Sequence, residues 1–167
     1  MALLTTPRLT LSPFQATDWP FFLALRENPE IMRYMGEIGP ERDTRLLFAR
    51  RLGSQHMFVI RQHNDPTPLG DVGLQISHQF PQEADIGYCL LPQAQGRGFA
   101  VEAVRAVCEY AFRDAGIKAI NAWVLAENLP SVRLLEKLGF VRTQILEQVF
   151  EINGIRFDDW GYRLESA

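Results

Sequence analysis

The sequence has few cysteines, little excess charge and no long apolar run, and each shortage excludes a class of protein. It contains only two cysteines, Cys89 and Cys108, which is too few for a disulfide framework. The formal net charge of −3 over 167 residues gives no basic excess that would indicate a nucleic-acid binder. No apolar run approaches the roughly 20 residues of a membrane helix. The first twenty residues also lack the apolar segment of a secretion signal. We therefore expect a cytoplasmic protein that binds neither nucleic acid nor membrane.

The common phosphate-loop motifs are missing or incomplete. The chain has no Gly-Lys-Ser or Gly-Lys-Thr triplet, which the P-loop requires. The dinucleotide motif G-x-G-x-x-G begins at Gly96 and Gly98, but Val101 stands at the third glycine position. The sequence therefore excludes a P-loop and does not support a dinucleotide-binding domain.

A glycine turn between a strand and a helix lies near the middle of the chain. The apolar strand before it ends at Pro92, which cannot donate to a sheet, and Gly96 and Gly98 let the backbone bend and a ligand approach closely. After the turn, apolar residues recur at helical spacing at Ala100, Val104, Val107, Cys108, Ala111 and Phe112. The free amides and the dipole at the start of such a helix predict a site for a pyrophosphate. A turn of this kind can equally be no more than a turn.

The remaining pattern predicts a single domain over residues 1–167, of class α+β or mixed α/β. Glycines at 70 and 73 predict a bulge or a close approach at this strand. The helix after the glycine turn is a crossover that makes two neighbouring strands parallel, and Asn153-Gly154 predicts a type I′ hairpin turn. The predicted strands are 8–13, 57–61, 69–77, 84–91, 118–125, 140–152 and 155–164.

Two blocks of sequence resemble the GCN5-related N-acetyltransferase (GNAT) family and, within it, the RimJ/RimL-type branch. Gln93-x-x-Gly96-x-Gly98 matches the family's acetyl-CoA motif, and Asn128-x-x-Ser131 followed by Lys137-Leu-Gly-Phe140 matches a block of that branch. The resemblance covers nearly the whole chain. It implies a GNAT fold, with a mixed but mostly antiparallel sheet of about seven strands flanked by helices. The sheet would splay between the strands at 84–91 and 118–125.

The resemblance also implies that acetyl-CoA lies in the splayed part of the sheet, and it implies no metal ion. The pantetheine would pair with exposed backbone like an added strand, and Asn128 and Ser131 would face its thiol end. Asn128 could instead be only a helix cap, and Arg97 only a solvated side chain. The residues expected at the pyrophosphate are Gln95, Gly96, Arg97, Gly98 and Phe99, and those expected at the pantetheine are Cys89, Leu90 and Leu91.

The implied reaction is direct attack of an amine on the acetyl thioester within a ternary complex. It needs a base for the amine, a donor for the oxyanion and a hydrogen-bond donor for the leaving thiolate. The expected oxyanion donor is a backbone N–H in a bulged part of the strand at 84–91, at Cys89 or Leu90. Asp85 is the expected base, unless it is only a surface carboxylate. Weaker candidates are Glu83, Glu151 and His78.

The proton donor departs from the family pattern. Many family members carry a tyrosine seven residues after the helix asparagine, but this chain has Leu135 there. Ser131 is therefore the expected donor to the thiolate, with Tyr88 or Tyr162 as substitutes if the fold brings either one near.

The acceptor is expected to be a protein N-terminal α-amine or a small-molecule amine, bound by a monomer or a homodimer. Tyr34 and Met35, unless they are simply core residues, would line its site with Asp85, and Trp19 and the 153–154 turn would help to shape it. The alternative is a GNAT-fold protein that binds CoA without turnover, as a sensor or scaffold.

Overall fold

The computed structural model describes residues 3–167, which form one eight-stranded sheet flanked by five α-helices. All seven predicted strands are present, and the eighth is a two-residue strand that is too short to show a periodic pattern. The strands are β1 (Leu4–Thr5), β2 (Leu9–Pro13), β3 (Met57–Gln62), β4 (Pro68–Ile76), β5 (Glu83–Leu90), β6 (Ala119–Leu125), β7 (Val141–Ile152) and β8 (Ile155–Glu165). The helices are α1 (Trp19–Glu27), α2 (Pro29–Met32), α3 (Glu41–Leu52), α4 (Phe99–Arg113) and α5 (Leu129–Lys137).

The sheet is antiparallel except at one place near its centre. The strand order is β1-β2-β3-β4-β5-β6-β8-β7, and only β5 and β6 run parallel, joined by the crossover helix α4. Their pairing covers just three residues on each strand, from Glu83 opposite Ala119 to Asp85 opposite Asn121. Beyond Asp85 the two strands diverge, so the splay predicted between them is confirmed.

The two faces of the sheet carry different helices. On one face, α4 and α5 cover the main core, and the stripe predicted for α4 faces inward through Val104, Val107, Cys108 and Ala111. On the other face, α1 and α3 pack through Phe22 and Phe48, and α2 packs beside α1. None of the helices found in residues 3–167 has the length and apolar content needed to cross a membrane.

The two glycines of β4 mark a close approach of strands. A Cβ at Gly70 would lie 2.1 Å from the carbonyl oxygen of Cys89, and one at Gly73 would lie 2.2 Å from the sulfur of Met57. No larger residue fits at either position without moving a neighbouring strand. The pairing of β4 with β3 does contain a register shift, but it lies between Ile60 and Arg61 of β3.

The β7–β8 hairpin turns at Asn153-Gly154, as predicted. Both residues have positive φ angles, 51° and 81°, as a type I′ turn requires. The turn is tied to the segment after α2, because the Asn153 N–H donates to the Glu37 carboxylate at 3.1 Å. The tip of the hairpin therefore lies beside the helices of the α1–α3 face.

Candidate functional site

A cleft of about 880 Å³ lies where β5 and β6 diverge. Its walls are the ends of these two strands, the glycine turn, the first turns of α5, the segment around α2 and parts of β7 and β8. The gap between two strands of a continuous sheet thus forms a cleft at the predicted site.

The cleft has two halves, because side chains alternate across the strands that border it. Tyr88 and Leu90 point to the face that carries α4 and α5, whereas Cys89 packs against α1 and α2. We call the first side the α5 half, which contains Tyr88, the glycine turn and Ser131. We call the second side the α2 half, which contains Tyr34 and Met35.

The backbone of β5 offers unpaired amides to the gap. The Leu91 N–H donates to the Leu69 carbonyl at 2.8 Å, and the Ser77 N–H donates to the Glu83 carbonyl at 2.9 Å. Because bonded pairs alternate in an antiparallel ladder, the odd-numbered residues of β5 bond to β4. The amides of Tyr88 and Leu90 therefore face the gap, where no strand lies opposite them.

This arrangement separates the two amides that were predicted as oxyanion donors. The Cys89 amide faces β4, in register with Asp71, and only the Leu90 amide faces the cleft. The predicted bulge is wrong, because the register from Ala84 to Leu90 is unbroken in the described strand.

The glycine turn presents a run of free amides at the start of α4. Gly96 and Gly98 have φ angles of 75° and 78°, and Gly98 is the N-cap of the helix without a side-chain cap. Within residues 3–167, the amides from Gly96 to Val101 donate to no recorded acceptor. The Gln95 amide differs, because it donates to the Pro92 carbonyl at 3.2 Å, and the Gln95 side chain donates to the Leu90 carbonyl at 3.1 Å. Gln95 therefore stabilises the turn through its hydrogen bonds, and its backbone amide is not one of the free amides.

Arg8 holds the turn from outside the cleft. Its guanidinium donates to the Arg97 carbonyl at 2.8 Å and to the Glu102 carboxylate at 2.8 Å, and it lies 4.5 Å from the Phe99 ring centre. Burial alone would raise the pKa of Glu102, but hydrogen bonds from Thr6 and Arg8 outweigh it and lower that pKa. Arg97 is exposed and stacks on the same ring at 4.6 Å. The charge of Arg97 therefore lies beside the free amides, whereas the charge of Arg8 is paired with that of Glu102. Neither Arg97 nor Leu91 is part of the cleft wall.

Two hydroxyl groups meet in the α5 half. The Tyr88 and Ser131 hydroxyls are hydrogen-bonded to each other, and both residues line the cleft. Burial raises the pKa of Tyr88 to about 12, although the bond to Ser131 opposes this shift. Of the two tyrosines considered as substitutes, Tyr162 lies elsewhere and donates to Glu136 at 2.8 Å. Tyr88 is thus the phenol that the fold brings to Ser131.

Asn128 lines the same half of the cleft. It occupies the N-cap position of α5, but its side chain makes no capping hydrogen bond. The alternative that Asn128 serves only as a helix cap is therefore wrong.

Three of the carboxylates considered as a base lie outside the cleft. Asp85 sits where β5 and β6 are still paired, and partial desolvation together with the charge of Glu83 raises its pKa. Glu83 is held by Arg163 at 2.7 Å, and this hydrogen bond lowers the pKa of Glu83. Glu151 is exposed on β7 and pairs with Arg156 at 3.7 Å. His78, the remaining candidate, is also exposed.

Cys89 contributes a buried thiol rather than a reactive one. Burial raises its pKa to about 12, with the nearby Asp71 carboxylate acting in the same direction. A thiol with so high a pKa stays protonated at neutral pH and is a weak nucleophile.

The segment around α2 brings aromatic and apolar groups to the cleft. Tyr34 packs edge-on against Phe157 with ring centres 6.0 Å apart, and Met35 is 40% exposed. Trp19 was expected beside them, but it packs against Phe48 at 5.4 Å and does not line the cleft.

Two carboxylates that line the cleft, Glu30 and Asp159, were not among the predicted site residues, and of these Glu30 is exposed. Asp159 of β8 lines the α2 half, opposite Leu125 in the β6–β8 register. The sequence contains the residue but gives no sign of its neighbours, because its place depends on the pairing of β6 with β8.

Comparison with known proteins identifies relatives over nearly the whole chain. YoaA, an uncharacterised N-acetyltransferase of Bacillus subtilis, is 29% identical over 93% of this chain and 92% of its own length. Spermidine N(1)-acetyltransferase of Vibrio cholerae is 29% identical over 91% of this chain and 89% of its own length.

Solved structures share the fold. The crystal structure of spermidine N-acetyltransferase from Vibrio cholerae in complex with CoA and spermine superposes with a TM-score of 0.86 at 26% identity, covering 96% of each chain. RimL, a ribosomal L7/L12 α-N-protein acetyltransferase in complex with CoA, gives a TM-score of 0.82 at 19% identity and covers 98% of each chain.

The family model for the acetyltransferase (GNAT) domain matches residues 8–141, a span from β2 to the start of β7 that includes the glycine turn and the Tyr88–Ser131 pair. With that match and the shared fold, the chain belongs to the GNAT acetyltransferase family.

Proposed function

We propose that this protein is a cytoplasmic N-acetyltransferase that moves the acetyl group of acetyl-CoA to a primary amine, with residues 1–167 acting as a single domain. The observation that carries the proposal is the gap between β5 and β6, which has free amides along one wall and at one end. An acyl donor can lie in this gap as an added strand. The named N-acetyltransferases among the relatives support the reaction class.

The donor's pyrophosphate fits the free amides from Gly96 to Val101. They lie at the positive end of the α4 dipole and beside the charge of Arg97, so they would stabilise a doubly negative group. The pantetheine would run along β5, where the Tyr88 and Leu90 amides face the gap. Its thiol end then reaches Asn128 and Ser131 at the start of α5.

The residues near the thioester have complementary roles in this proposal. The Leu90 N–H donates to the oxygen that becomes negative in the tetrahedral intermediate. The Ser131 hydroxyl donates to the departing thiolate, and the Tyr88 hydroxyl orients Ser131 through the hydrogen bond between them. The rest of the rate comes from holding amine and thioester together in one cleft.

Two acceptor classes deserve a direct comparison. The Asn128-x-x-Ser131 block resembles the RimJ/RimL branch, and RimL, a protein α-N-acetyltransferase, shares the fold. The spermidine N-acetyltransferase of Vibrio cholerae is a relative over most of the chain, which favours a polyamine. Both classes present a primary amine, and the α2 half of the cleft would receive it.

An amine screen tests the proposal. The protein is mixed with acetyl-CoA and, in turn, spermidine, benzylamine and an alanyl tripeptide amide, while free thiol is measured and the product mass is checked. We expect thiol release with at least one amine and a mass gain of one acetyl group. Thermal stabilisation by CoA without thiol release for any amine would favour the alternative, a non-catalytic CoA sensor or scaffold. Absence of CoA stabilisation would exclude both functions.

Gly87 offers a way to block the acceptor without disturbing the donor. It lies on the α2 side of β5, lines the cleft and has no atom within 4 Å of an added Cβ. Gly87→Val should fold normally, since valine suits a strand, and should raise the acceptor KM about tenfold. CoA affinity should stay within about twofold, measured by calorimetry. An unchanged acceptor KM would mean that the amine does not approach over Gly87.

A further inference from the structure

The Asp159 carboxylate is half-buried in the cleft without a protein partner. It lines the α2 half, and among residues 3–167 no ion pair or hydrogen bond to its side chain is recorded. Burying a carboxylate without a partner costs free energy. A protein is expected to keep an unpaired carboxylate at this cost where a bound ligand supplies the missing partner.

The neighbouring Asp158 shows what a structural aspartate looks like in this strand. Its carboxylate accepts the Gln148 N–H at 2.9 Å, where Gln148 has a φ of 54° and the β7 register shifts. Asp158 therefore holds the irregular part of β7. Consecutive residues of a strand point to opposite faces, so Asp159 takes no part in this contact.

The sheet register brings Asp159 to the same side as the proposed acceptor. Asp159 is paired with Leu125 on β6, and Leu125 packs with Tyr34 on the α1–α3 face. Ser131 and Tyr88 lie on the other face, in the α5 half. A thioester in the gap would therefore have Asp159 on the amine side and the hydroxyl pair on the thiol side.

We propose that Asp159 binds the ammonium group of the acceptor and takes its proton before attack; this assignment rests on the acetyl transfer proposed above. The ammonium gives one proton to the Asp159 carboxylate, and the neutral nitrogen forms a bond to the acetyl carbon. The C–S bond then breaks, and the second nitrogen proton balances the one that the thiolate takes up. Asp159 returns its proton to solvent, so the products are the acetamide, CoA thiol and one proton.

The surroundings of Asp159 favour this role. Burial raises the pKa of Asp159 from its ordinary value, in the direction that makes a carboxylate a better base. The charged residues that share the cleft wall are Glu30, Arg33, Arg133 and Lys137, of which Glu30 and Arg33 belong to the segment around α2 and the other two to α5. The aromatic side chains of Tyr34, Trp123 and Phe150 line the cleft together with Asp159, and they can cover the rest of the acceptor.

The test is the pH dependence of kcat/KM for the best amine of the screen, compared between the wild type and Asp159→Asn. For the wild type, kcat/KM should be nearly constant between the pKa of Asp159 and the pKa of the amine. For the variant, kcat/KM should rise about tenfold per pH unit up to the pKa of the amine, so that it is about 10²-fold below the wild type at two pH units below that pKa, because only amine that is already neutral can react. Asp158→Asn is the matched control and should keep the level profile.

The outcomes separate this assignment from the proposed function. If Asp159→Asn keeps the wild-type rate and profile, or loses activity equally at every pH, the role of Asp159 is overturned while acetyl transfer stands. CoA-dependent thermal stabilisation reports whether the variant is folded, and Asp159→Glu, which retains a carboxylate, should restore the level profile if the asparagine variant does not fold. A wild type that acetylates no amine overturns the proposed function itself.

Discussion

Replacing Gly98 with valine is expected to weaken CoA binding roughly 10³-fold while leaving the protein folded. Gly98 has a φ of 78°, where a β-branched residue costs about 1–3 kcal/mol. A Cβ there would also lie 3.2 Å from the Arg8 guanidinium that braces the turn. The new side chain would stand among the amides proposed to hold the pyrophosphate, and two lost charge-assisted hydrogen bonds are worth about 3–6 kcal/mol. Isothermal calorimetry with CoA measures the change.

Gly116→Val is the matched control for this experiment. Gly116 has a similar φ of 70°, has no atom within 4 Å of an added Cβ and does not line the cleft. The two variants should therefore lose similar stability in urea titrations, while only Gly98→Val loses affinity for CoA. Equal CoA affinities in the two variants would mean that the turn does not contact the pyrophosphate.

The glycine turn and the helix after it could be predicted from sequence because their causes are local. Pro92 ends a strand, two glycines adopt positive φ, and the apolar spacing after Gly98 matches a helix that begins at Phe99. The hairpin is similar, since Asn153-Gly154 encodes its own turn. The family resemblance then supplied the splay of β5 from β6, which no local pattern contains.

The remaining parts of the site depend on register and on contacts between distant segments. Arg8 reaches the glycine turn because β2 lies beside α4, and Asp159 reaches the cleft because β8 pairs with β6. Asp85 was expected in the site from its position in the strand, but it lies where β5 and β6 are still paired, and its side chain is exposed outside the cleft. Sequence separations of tens of residues carry no signal for such contacts.

Removing the Ser131 hydroxyl is expected to lower kcat about 10²-fold with CoA affinity unchanged within about twofold. The donor that stabilises a developing charge typically contributes about 10²–10³ in rate, and with Leu135 at the usual tyrosine position no phenol stands there to replace it. Tyr88→Phe should cost less, about tenfold, because Tyr88 acts through Ser131. Steady-state thiol release at saturating acetyl-CoA and amine measures kcat, and calorimetry measures CoA affinity.

The double variant decides whether the two hydroxyls act as one unit. If Tyr88 works only by polarising Ser131, then Ser131→Ala with Tyr88→Phe should be no slower than Ser131→Ala alone, since effects of coupled residues do not add. If the two losses in kcat are additive, Tyr88 contacts the thiolate independently of Ser131. Tyr162→Phe is the control, because its hydroxyl donates to Glu136 outside the cleft; it should lower stability in urea and leave kcat unchanged. A wild-type kcat for Ser131→Ala would remove Ser131 from the reaction, and the proton of the thiol would then have to come from solvent.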